Sequence, residues 1–273
     1  MRIRSKTLVA AALLAASCGA SANIVDLFSA PPPPAAQQVQ IGAGLNTPAS
    51  QYCNGDGSII DSCRDLALSA TGTSPVLRST LAIFDERLIF SNDDGVTGLG
   101  IVQWDGGAGA IGSLDFGLDA DLTDQAGCPA SGCSFFQTSI FFADADIVIQ
   151  FGVFTDADTF SFLSFTTQGV NNPSGAPLTL QFDWFNTAGT TEVQPGFFVT
   201  VVHGSGGAAD FTDVGAIELQ LNTQGRIAAD LTMGALQKNG VVASVPEPGA
   251  LVLASIALLA AAYAGRRRRS VHR

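Results

Sequence analysis

The 273-residue chain is short of positive charge, and short of it in one region. Arg2, Arg4 and Lys6 stand at the front, and Arg266, Arg267, Arg268, Arg269 and Arg273 at the back. Between Asn23 and Ser244 only Arg64, Arg78, Arg87, Arg226 and Lys238 are basic, while every one of the 24 acidic residues except Glu247 falls there. That body carries about −18, a field that repels DNA, RNA and anionic lipid, so nucleic acid is excluded as a partner. Histidine is equally scarce. His203 is the body's single histidine, in His203-Gly204-Ser205-Gly206-Gly207, and no Gly-x-Ser-x-Gly elbow accompanies it. Nucleophile and base in a catalytic triad come from distant chain positions, so this stretch reads as a hairpin loop. It also lacks the lysine and the following helix of a phosphate cradle. Helical periodicity is missing outside the termini, and so is any repeat of 20–50 residues. Tyrosine and tryptophan number 2 each against 18 phenylalanines, which favours a greasy interior over an aromatic binding platform.

The two ends are addresses. Residues 1–22 combine a basic start, an apolar run from Leu8 to Ala16 and the small residues Ala20 and Ala22, the pattern of a secretory signal peptide cleaved after Ala22. Its apolar run is about half the ~20 residues a spanning helix needs. Leu14 to Cys18 loosely matches a lipobox, with the aliphatic residue one place too far upstream. At the other end, residues 245–273 contain Pro246-Glu247-Pro248, an apolar segment over 249–265 and the arginine cluster Arg266, Arg267, Arg268 and Arg269. The prolines hold an extended, accessible segment at the membrane face, the apolar stretch enters the bilayer as a short helix, and the arginines stay in the cytoplasm.

This ending resembles the PEP-CTERM sorting signal of Gram-negative bacteria, with Pro-Glu-Pro, helix and arginines in the same order and spacing. The resemblance implies export through signal peptidase and the Sec machinery, transient residence in the inner membrane, cleavage by an exosortase near the Pro-Glu-Pro, and delivery to the cell surface, usually in makers of exopolysaccharide. The alternative is a permanent anchor facing the periplasm, for which the helix is short. Asn23-Ile24-Val25-Asp26-Leu27-Phe28, Arg64-Asp65-Leu66 and Gly100-Ile101-Val102-Gln103-Trp104-Asp105-Gly106 resemble a group of PEP-CTERM ectodomains to which no activity attaches.

Between the ends, residues 23–44 read as a leader in which Pro31 to Pro34 and the following Ala-Ala-Gln-Gln form a polyproline II spacer or tether. Residues 45–244 read as an all-β domain, a β-sandwich or jelly roll. Short runs of Phe, Val, Ile and Thr recur between turn residues. Strands are expected near 77–84, 87–91, 98–104, 134–142, 147–154, 159–166, 178–185, 196–203, 216–222 and 227–233. Cys53, Cys63, Cys128 and Cys133 are an even set in an exported chain and imply two disulfides, of which Cys53–Cys63 with Cys128–Cys133 is the simplest of three pairings. Neither pair has the Cys-x2-Cys spacing of a zinc site.

Three Asp-Ala-Asp triplets, Asp119/Asp121, Asp144/Asp146 and Asp156/Asp158, offer paired carboxylates that either coordinate a structural calcium ion or make solvated turns; none matches an EF-hand loop. No other cofactor is implied. Trp104 and Trp184, each beside a hydrogen-bonding aspartate, are the candidates for glycan contact, with core packing as the competing reading. A carboxylate pair could also serve glycoside hydrolysis, but among so many acids some pair always looks eligible. The expectation is a non-enzymatic surface or matrix protein with a structural or adhesive role linked to exopolysaccharide or biofilm, with a carbohydrate-binding module as the alternative and a secreted glycan hydrolase behind it.

Overall fold

The computed structural model describes residues 23–30, 37–42, 48–72, 76–107, 110, 113–123 and 133–239. The signal-cleavage residues Ala20 and Ala22, Cys128, the apolar tail segment and the sorting motif lie outside them. The strands described are β1 (Asn23–Asp26), β2 (Gln37–Ile41), β3 (Ala49–Cys53), β4 (Cys63–Thr71), β5 (Ser79–Phe84), β6 (Arg87–Asn92), β7 (Thr97–Trp104), β8 (Phe135–Phe154), β9 (Phe160–Gln181), β10 (Gly189–Gln194), β11 (Phe197–His203), β12 (Ala216–Leu221), β13 (Asp230–Met233) and β14 (Leu236–Asn239). The two helical turns among the described residues are 3-10 turns, Ile60–Ser62 and Phe182–Asn186.

Alternation drives the short strands, as in β6, where Leu88, Phe90 and Asn92 turn inward and their neighbours outward. Strands β5 and β6 form a hairpin through the two-residue loop Asp85-Glu86, whose φ values of 53° and 56° fit the primed turns that match strand twist.

All the strand pairs are antiparallel, in the order β2-β5-β6-β13-β8-β12-β7-β4-β3. Strand β8 makes one sheet into two layers. Along one edge it pairs with β9; along the other it meets β14, β13 and β12 in turn. Register shifts between Ile140 and Phe142 and between Ala145 and Val148 bend the β8–β9 ribbon there, as bulges do. One layer then holds β2, β5, β6 and β13, the other β12, β7, β4 and β3. They meet face to face where β7 carries glycine, because a side chain at Gly98 or Gly100 would run into Ser79 of β5 or Phe90 of β6. The core between them includes the packed rings of Phe136, Phe151, Phe182 and Phe211, with centroids 4.5–4.9 Å apart for the closest pairs. The cavity at its heart is ≈10 Å³, room for at most one water.

The all-β sandwich expectation holds, with corrections. The leader, expected outside the β domain, joins it in its described parts: β1 pairs with β14, β2 pairs with β5, and Val25, Phe28, Gln37 and Val39 are buried, while Pro31 to Pro34 of the expected spacer lie outside the described residues. Gln37 looked like linker because it is polar, but Val39 and Ile41 continue its alternation. The segments expected as separate strands on either side of Asp144 form one strand, since the chain there takes a bulge instead of a loop; Asp146 sits at φ 62°. Residues 182–185, expected as strand, form a 3-10 turn. Strands β3, β4, β10 and β14 were not expected, because sequences such as Gly-Thr-Thr-Glu-Val-Gln offer little apolar alternation.

Candidate functional site

The segments 23–28, 64–66 and 100–106 converge on one buried knot. Arg64 of β4 is wholly buried, and its Nη1 donates to both oxygens of Asp26 of β1 at 2.6 and 2.8 Å. Its Nε donates to Gln37 Oε1 (2.8 Å) and its Nη2 to the Ser29 carbonyl (3.1 Å). The Asp26 carboxylate also accepts from Trp104 Nε1 (2.9 Å) and from the Phe28 backbone (2.6 Å). The rings of Phe28 and Tyr52 lie 5.8 and 5.6 Å from the guanidinium. Burial pushes the Asp26 carboxyl above its ordinary range, against the pull of Arg64. A buried charge survives only when paired and hydrogen-bonded, and this one is both.

Trp104 therefore cannot stack on a sugar. It is fully buried with its indole N–H committed, because the inward face of β7 carries it. Trp184 lies in the 3-10 turn, half-buried against the core.

The Asp-Ala-Asp carboxylates are dispersed among local tasks. Asp121 accepts from the backbone and hydroxyl of Thr123, Asp144 from the Asp230 backbone, and Asp156 from the backbones of Asp158 and Thr159. Those backbone bonds hold the exposed Asp156 carboxyl below its usual value. Asp158 accepts from Ser205 Oγ (3.1 Å), and Asp146 meets Arg226 at 3.3 Å on the surface. Among the described residues no cluster of three His, Cys, Asp or Glu side chains could hold a metal. His203 Nε2 is 2.8 Å from the Phe185 carbonyl, so Ser205 and His203 turn to different partners, as a loop reading requires. Cys53 and Cys63 form a disulfide directly in register between β3 and β4. Cys133 is disulfide-bonded as well.

Sequence reasoning missed a concave feature on the outer face of β8. A cleft of ≈550 Å³ is floored by Gln137, Ser139 and Phe141 and walled by the β5–β6 turn and by Gln237. The Arg87 guanidinium lies 4.1 Å from the Phe141 ring centroid. A second cleft of ≈540 Å³, between Thr166–Gln168 and the β10–β11 turn, has no charged residue in its lining. The one available signal for the first was that Arg87 is among the body's few cations. On the other layer, burial and the nearby Asp115 and Asp65 carboxylates raise the Asp105 carboxyl above its ordinary value.

Residues 244–269 match the PEP-CTERM protein-sorting motif. No curated protein matches the chain as a relative. Among solved structures, the chain is similar to a family 11 carbohydrate-binding module from Clostridium thermocellum in complex with a β-1,3-1,4-mixed-linked tetrasaccharide, at 8% identity, 74% of this chain, 96% of that one and a TM-score of 0.32. It is also similar to a family 29 carbohydrate-binding module, at 10% identity, 75% of this chain, 90% of that one and a TM-score of 0.27. At that level of similarity neither bears on function.

Proposed function

We propose that this chain, a PEP-CTERM protein by the match over residues 244–269, is an exported, exosortase-processed protein of the cell surface or extracellular matrix with a structural or adhesive, non-catalytic role in contact with exopolysaccharide. The sorting motif carries the reading: it implies export and delivery toward the surface. The body supports it physically. A sandwich closed around a dense aromatic core and stapled at Cys53–Cys63 suits an oxidising exterior without chaperones. Its acidic charge keeps it soluble there. A carbohydrate-binding role is the second reading, favoured by the polar cleft on β8.

The test is the intact mass and location of the protein in producing cells. The wild type should be recovered from surface and medium without residues 250–273. Replacing Pro246, Glu247 and Pro248 by alanine should leave the chain in the membrane fraction with its tail. A wild type that retains the tail overturns the processing, and hydrolysis of the strain's own exopolysaccharide by the purified protein overturns the non-catalytic role.

A further inference from the structure

We infer that the cleft on the outer face of β8 is a binding site for a neutral saccharide, one to two sugar units wide, an assignment that rests on the proposed contact with exopolysaccharide and gives it a place. The volume of ≈550 Å³ falls within the range of small-ligand sites.

Its lining decides the ligand class. Arg87 supplies donors, and among the described residues its guanidinium makes no ion pair. Asp85 and Glu86, exposed in the turn beside it, supply acceptors only. Gln137 and Gln237, directly opposite one another in the β8–β14 register, and Ser139 supply groups that both donate and accept. An anion drawn to Arg87 would meet two carboxylates, and a cation drawn to those would meet the guanidinium. A ligand whose every polar group both donates and accepts satisfies all of them, and vicinal hydroxyls have that property.

The apolar side of a sugar is provided for as well. Phe84 pairs in register with Arg87, so their side chains share one face of the hairpin, and Phe84 is 63% exposed next to the turn that walls the cleft. A large ring left in water beside a polar cleft suits stacking on the C–H face of a pyranose. Phe141 holds Arg87 in place from below. Gly234 keeps that floor open, since a Cβ there would lie 2.9 Å from the Phe141 ring.

The experiment is calorimetric titration of the processed protein, purified from producing cells, with exopolysaccharide from the same strain and neutral hexose oligosaccharides, and with alginate as an anionic probe. R87A, F84A and S139W, which fills the cleft, should each weaken binding to the neutral probes by at least about tenfold, while F198A, an exposed ring on β11, stays within about twofold. Unchanged melting of the three variants shows that the fold is retained. Wild-type binding that all three variants preserve overturns the site and leaves the saccharide reading standing. Absence of binding to every saccharide overturns that reading itself. Alginate binding as tight as the neutral probes overturns the ligand class.

Discussion

At the residue scale the decisive interaction is Arg64 with Asp26. An arginine with no solvent exposure needs its counter-charge, and that carboxylate sits in the first strand described. D26A should destabilise the protein by about 3–5 kcal/mol in urea unfolding, the cost of a buried charge left uncompensated. Adding R64M should recover part of that loss, whereas a loss that grows would show the guanidinium to be stabilising by its other bonds alone. Asp105 has the carboxylates of Asp115 and Asp65 nearby where Asp26 has an arginine. Its carboxyl is raised in the folded protein, so the folded state holds a proton that the unfolded chain has already released. The resulting stability is present below the ordinary carboxylate value of about 3.9 and is lost as pH rises through the folded value. D105N cannot ionise; it should melt with the wild type at low pH and above it at pH 7. Parallel curves across that range would remove the assigned cause.

At the scale of elements, β7 illustrates what strand patterning can and cannot convey. Period-2 alternation over Thr97–Trp104 marks Gly98, Gly100, Val102 and Trp104 as one face, and the structure turns that face inward. The glycines could have been bulges or turn residues. They are contact points between layers: a Cβ at Gly100 would lie 2.9 Å from the Phe90 ring and 3.4 Å from Leu81. G100A should therefore cost about 1–3 kcal/mol, as overpacking does. G55A, where nothing lies within 4 Å, should leave the melting temperature unchanged by comparison. Equal effects would mean that layer contact does not govern the first. The β8–β9 ribbon is the converse case. Its Asp-Ala-Asp reads as a break in sequence, but the bulge between Ala145 and Val148 absorbs it, and the continuous ribbon is what joins the two layers.

At the scale of the molecule, the pairing of β1 with β14, Asn23 opposite Lys238, sets the beginning and the end of the described body side by side. The last of the described strands is therefore tied to the strand that carries Asp26. Loss of β1 would leave Arg64 unpaired and β14 without one neighbour. The sorting motif, the acidic charge, the all-β class and most central strands were legible in the sequence, because motifs, net charge and short-range alternation are properties of adjacent residues. The tertiary structure alone decided that Trp104 is core, that the leader belongs to the sheet, that Asp144 meets Asp230 and Asp146 meets Arg226, and that Arg87 meets Phe141 over a cleft. Each of these depends on residues tens of positions apart becoming neighbours. Alternation says which side chains share a face, whereas only the folded chain determines what covers that face.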